Sequence, residues 1–91
     1  MTFSSEKREE VCDIIDSYTE PYLDRYIRDE IKATVEPAMK APGASKITVA
    51  DAVFFKAKQY EGNIVEAVAV EQLVPIDILR QMRTEIAQAL K

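Results

Sequence analysis

Six residues punctuate this chain: Pro21, Pro37, the Pro42-Gly43 pair, Gly62 and Pro75. Between them, apolar residues recur at the spacing of a helical face and not at the alternation of a strand. Proline removes a backbone donor and crowds the carbonyl four residues before it, so no helix runs far through these points. The chain is therefore confined to short helices joined by tight connections. The expected architecture is all-α, a compact bundle of four to five short helices over residues 1–91, with 1–4 a flexible start.

The segments read as follows. Val11, Ile14, Ile15 and Tyr18 mark a first helix over about 5–17, with Ser5 as cap and Glu6 at the dipole-favoured start. Thr19-Glu20-Pro21 opens a second over about 20–36, its stripe being Leu23, Tyr26, Ile27, Ile31, Thr34 and Val35. One long helix kinked at Pro21 is the alternative, and Pro37 ends or bends the helix in either case. Lys40 to Lys46 is the clearest loop. Thr48 with Asp51 resembles a capping box for a third helix over about 48–60. Phe54 and Phe55 widen its apolar sector, which makes it the most buried helix. Residues 64–72 suit a short helix or a strand, and the lack of a second strand to pair with favours the helix. Pro75 opens the last helix, 75–90, with the stripe Ile78, Leu79, Met82, Ile86 and Leu90.

The chain holds 47% hydrophobic and 31% charged residues, the balance of a folded protein and not of a disordered one. Its 91 residues bury only roughly 60% of the unfolded surface, so a partner or self-association is expected to add to its stability. Net charge is −4, with 10 acids and 7 bases in residues 1–46 and 6 and 5 in 47–91. Nucleic-acid affinity comes mostly from neutralised phosphates, and no half of this chain is basic. Nucleic acid and anionic membranes are both disfavoured. No apolar stretch reaches the roughly 18 residues of a membrane span, so no membrane insertion is expected. A single cysteine, Cys12, fits a reducing, cytoplasmic setting.

Chemistry is sparse. There is no histidine, which removes the commonest general base and metal ligand. Cys12 lies among acids (Glu9, Glu10, Asp13, Asp16) that disfavour a thiolate, so it reads as a small core residue. Four-ligand zinc or iron–sulfur sites lack donors. The acidic run Glu6, Glu9, Glu10, Asp13, Asp16 and Glu20 reads as a solvated helix face. Two glycines make no phosphate loop. No cofactor and no self-contained active site are expected.

What remains is a surface. Tyr18, Tyr22 and Tyr26 stand at i, i+4 and i+8 with Arg25 beside them, a stripe suited to a protein partner because tyrosine joins apolar area to a polar tip. The last helix extends that surface, and the excess of apolar residues on all sides of the 48–60 helix is what motivates the expectation. Two alternatives stay open. The last two helices mimic a helix-turn-helix DNA-binding regulator that would present Arg80, Gln81 and Arg83 to a groove. Carboxylates and tyrosines would otherwise serve as part of a multi-chain enzyme.

One stretch also carries a likeness. Pro21-Tyr22-Leu23, Arg25, Arg28, Glu36, Gly43, Ile47-Thr48-Val49, Val53 and Ala57-Lys58 resemble the pattern of the small C-terminal helical domain of the light-independent protochlorophyllide reductase B subunit and its stand-alone relatives. The resemblance covers about residues 21–58, with Gly43 and Ile47-Thr48 its best-matched part. It implies a helical module associated with chlorophyll biosynthesis or photosystem proteins, and no reductase activity. In plain structural terms Gly43 permits unusual loop backbone, Ile47, Val53 and Ala57 pack, and Thr48 caps.

Overall fold

The structure, a computed structural model, describes residues 3–62 and 72–91. Among them the chain forms α1 (Ser5–Thr19), α2 (Arg25–Lys32), α3 (Val35–Lys40), α4 (Lys46–Ala57), a 3-10 turn (Lys58–Tyr60) and α5 (Ile76–Ala89). The all-α expectation holds. The expected helix over 64–72 falls outside the described residues except for Gln72, which is not helical.

α1 is capped by Ser4, one residue before the expected Ser5. Ser4 Oγ accepts from the Lys7 N–H at 3.2 Å, and Phe3 packs against the core, so residues 3–4 do not form a loose start. The helix ends where Pro21 cannot donate to the carbonyl of Ser17. Thr19, fully buried, turns its hydroxyl back to the Ile15 carbonyl at 2.6 Å, and Leu23 N–H bonds to the Thr19 carbonyl at 2.8 Å. The chain thus turns over 20–24 instead of starting a helix at Glu20, and neither expected form of the second helix survives. Asp24 restarts it, its carboxylate accepting from the Ile27 N–H at 3.0 Å. That bond, together with the Gln72 amide, holds the Asp24 carboxyl below its ordinary value.

Pro37 interrupts the helix as expected, but the break falls before the expected end near residue 36. Its ring crowds the Ala33 carbonyl, and the helix breaks there, four residues upstream, with Thr34 N–H reaching Ile31 at 3.1 Å. Pro37 then sits in the first turn of α3, where a missing N–H costs nothing because those donors have no intrahelical partner.

The turn into α4 needs Gly43, whose φ is +74°. No atom lies within 4 Å of where a Cβ would stand, so Gly43→Ala is expected to cost about 1–2 kcal/mol through backbone strain alone. A urea titration checks this, and an unchanged midpoint would contradict the strain. α4 is capped by Ser45, with Thr48 at the third helical position. Ser45 Oγ accepts from the Thr48 N–H at 3.2 Å and Thr48 Oγ1 from the Ser45 N–H at 2.8 Å. The helix therefore starts two residues before the expected Thr48.

α4 lies along α5, α1 packs on α5, and α2 and α3 close the remaining sides against α1 and α4. Val11, Ile15, Ile31, Val35, Val49, Val53, Ala57, Leu79, Met82 and Ile86 are fully buried in one continuous core. Polar ties lock the elements. Tyr60 donates to Glu30 at 3.0 Å, Lys7 Nζ caps the C-terminal end of α5 at the Ala89 carbonyl at 2.8 Å, and Val74 bridges to 60–62 through two backbone bonds of 2.7 and 3.0 Å. Among the described residues no helix is long and apolar enough to cross a membrane.

Candidate interaction surface

With the core closed, three large hydrophobic residues stay exposed among the described residues: Ile47, Phe55 and Tyr26, at 59%, 60% and 73%. Isolated exposed apolar residues are ordinary on any protein. Two of these are not isolated. Ile47, Asp51 and Phe55 recur at i, i+4 and i+8 on α4 and form one of the ridges by which helices pack into one another.

Beside Ile47 and Asp51 an open groove of about 270 Å³ lies between α4 and α5. Ile47, Ala50 and Ala87 give it an apolar floor, and Lys46, Arg83 and Lys91 border it. The small side chains at 50 and 87 are what keep the groove open. Arg83 is held in place from two sides, its guanidinium 4.2 Å above the Phe54 ring and 3.9 Å from the Asp51 carboxylate. Phe54 meets Phe55 edge-on at 5.4 Å between ring centroids. The volume lies just under the roughly 300–1,000 Å³ of small-molecule sites and suits one or two inserted side chains.

The tyrosines do not share a helical stripe. The turn at 20–24 puts Tyr18 on α1, Tyr22 in the turn and Tyr26 on α2. Tyr18 is half-buried and donates to the Glu85 carboxylate, which raises its pKa. Tyr22 packs against the core. Arg25 and Tyr26 remain on the surface, Arg25 beside Asp29 at 3.9 Å. The geometry therefore leaves a small patch at the start of α2.

The remaining sequence candidates fall into place individually. Gly43 forms the turn, and Val53 and Ala57 pack as expected. Ile47 does not pack inward but stands out on the ridge, and Thr48 is the partner in the cap and not the cap itself. Lys58 begins the 3-10 turn. Cys12 is partly buried, and burial more than the neighbouring acids pushes its thiol up. Arg80 is exposed with Asp77 at 3.9 Å, whereas Arg83 is partly buried against the Phe54 ring with Asp51 at 3.9 Å. The preceding helix of the expected helix-turn-helix lies outside the described residues. Asp16 leaves the solvated acidic run to pair with Arg28 and Lys32 at 2.9 and 3.0 Å.

No protein-family model, curated protein or solved structure matches the chain. The apolar excess on all sides of α4 pointed to an interaction surface, but the particular residues of the groove and ridge were not singled out. Their signal in the sequence was the i, i+4, i+8 run of Ile47, Asp51 and Phe55, masked by assigning every apolar residue of that helix to the core.

Proposed function

We propose that this chain is a non-catalytic helical protein-interaction module, working in the cytoplasm and docking a partner through the outer ridge of α4. The observation that carries the reading is the coincidence of Ile47 and Phe55 on one ridge with the apolar-floored groove beside it. A chain that buries Ile15, Ile31, Leu79, Met82 and Ile86 completely has not run out of room inside. Exposed apolar residues gathered on one helix face beside an apolar-floored groove are a mark of an interaction site. Arg25 and Tyr26 offer a second, smaller contact. The want of any histidine supports binding over catalysis.

The resemblance over 21–58 supplies the biological setting. It takes in α4 and the Gly43 turn, and it supports an accessory role beside proteins of chlorophyll biosynthesis or of the photosystems.

The test is affinity purification of the tagged chain and of its Ile47→Glu variant from the native host, with mass spectrometry and an absorption spectrum of the eluate. The wild type is expected to retain one stoichiometric protein that the variant loses. Tetrapyrrole absorbance in the complex would support the pathway assignment. Recovery of the bare chain from both would overturn the reading.

A further inference from the structure

The groove between α4 and α5 has a charge as well as a shape. Three cationic side chains, Lys46, Arg83 and Lys91, border it, against the single carboxylate of Asp51. This is a local excess of positive charge on a chain whose net charge is −4. Among the described residues Lys46 and Lys91 have no acidic side chain within ion-pairing distance, and the one acid present is already placed against Arg83. We propose that the groove receives an acidic amphipathic helix of a partner protein, its apolar face on Ile47, Ala50 and Ala87 and its carboxylates on Lys46 and Lys91. This deepens the interaction-module reading and rests on it.

Charge and shape together discriminate among occupants. A second copy docked through the same face would press one positively bordered groove against another, and patches of like charge across an interface are repulsive. The acidic outer face of α1, with Glu6, Glu9 and Asp13 exposed, has complementary charge but no apolar residue to fill the floor. A flat anionic bilayer cannot enter a concavity and would meet Asp51 on the ridge. A helix laying alternate-turn apolar anchors into a groove satisfies both the floor and the rim.

The probe is a fluorescein-labelled synthetic helix with leucines at i, i+3, i+4 and i+7 and glutamates elsewhere, followed by anisotropy on the full chain. A peptide of the same composition with the leucines spread around the helix is the comparison. The ordered peptide is expected to bind, to weaken as salt rises, and to lose about tenfold or more in affinity with Ile47→Glu and with the pair Lys46→Glu, Lys91→Glu. Residues 46 and 47 lie in the first turn of α4, where an added acid is favourable to the helix, and Lys91 lies outside any helix, so the fold is expected to be retained, which circular dichroism of each variant checks. Absence of binding at low salt, equal binding of both peptides, or indifference to Ile47→Glu overturns the proposal. So does a concentration-dependent dimer in sedimentation that Ile47→Glu abolishes, or capture by phosphatidylserine vesicles that the same variant abolishes. If the host experiment yields a partner while the acidic peptide fails, only this inference falls. If the peptide binds and the host yields nothing, the interaction-module reading falls.

Discussion

Replacing Leu79 by alanine is expected to destabilise the chain by about 2–5 kcal/mol, the range for truncating a buried leucine that leaves a cavity. Leu79 is completely shielded from solvent and stands on α5, the helix packed against both α4 and α1. A cavity on the helix that both neighbours pack against is hard to close by a small shift of one element. A domain of ordinary stability has roughly 5–15 kcal/mol in total, and a small one sits toward the lower end. The substitution removes a large share of that. Urea denaturation followed by far-ultraviolet circular dichroism measures it, with Ile47→Ala as the internal control. Ile47 is 59% exposed, so its truncation is expected to stay within about 0.5 kcal/mol. A Leu79→Ala shift no larger than that of the control would show that α5 does not close the core.

The stripe that contains Leu79 was readable in advance because it is undisturbed. Leu79, Met82, Ile86 and Leu90 follow one helical face with no proline inside, and all four are buried. Reading failed at the prolines, where two outcomes share one signature. Pro21 was read as the first turn of a new helix, yet it only stops α1, because Asp24 three residues later makes the better cap and Leu23 is drawn into the core. Pro37 is expected to end or bend the helix, and it does so at Ala33, whose carbonyl it crowds, while itself standing in the first turn of the next helix. Sequence locates the conflict with the backbone in both cases. Which side of the conflict keeps the helix depends on which side chains find burial, and that is a tertiary matter.

The surface was harder to read for a related reason. Periodicity assigns a residue to a face, but the number of faces a helix buries is set by its neighbours. α4 is apolar on most of its circumference, and burying Val49, Val53 and Ala57 on one side leaves Ile47 and Phe55 without a cover. The tyrosine stripe failed by the opposite route. Its spacing is sound only if the helix is continuous through Pro21, and the turn at 20–24 distributes its members over three elements. The lack of histidine needed no fold at all to be read.

Removing the Asp16 carboxylate charge is expected to cost about 2 kcal/mol, at the scale of a hydrogen bond to a charged group. Asp16 on α1 accepts Arg28 Nη1 at 2.9 Å on one oxygen and Lys32 Nζ at 3.0 Å on the other, and so fastens α2 to α1 across the turn that Pro21 creates. The three side chains are only 31%, 18% and 23% exposed, which lifts the pair above the small contribution of a fully solvated bridge. Arg28 also donates to the Leu23 carbonyl at 3.2 Å, so the same guanidinium holds the turn itself. Asp16→Asn keeps the shape and removes the charge. Its effect has a pH signature. The Lys32 ammonium is raised above its ordinary value, chiefly by the hydrogen bond to Asp16 and against the effect of burial. A lysine whose folded value exceeds its unfolded one contributes fully below the unfolded value, roughly 10.4, and loses that contribution as pH rises through the folded value. The stability gap between wild type and Asp16→Asn is therefore expected to be constant from neutrality upward and then to narrow in the alkaline range. It does not close, because Arg28 stays charged. Urea midpoints of both proteins across that range decide the matter. A gap that persists unchanged at the alkaline end would place the whole interaction on Arg28 and leave Lys32 to Asp29, 3.2 Å away.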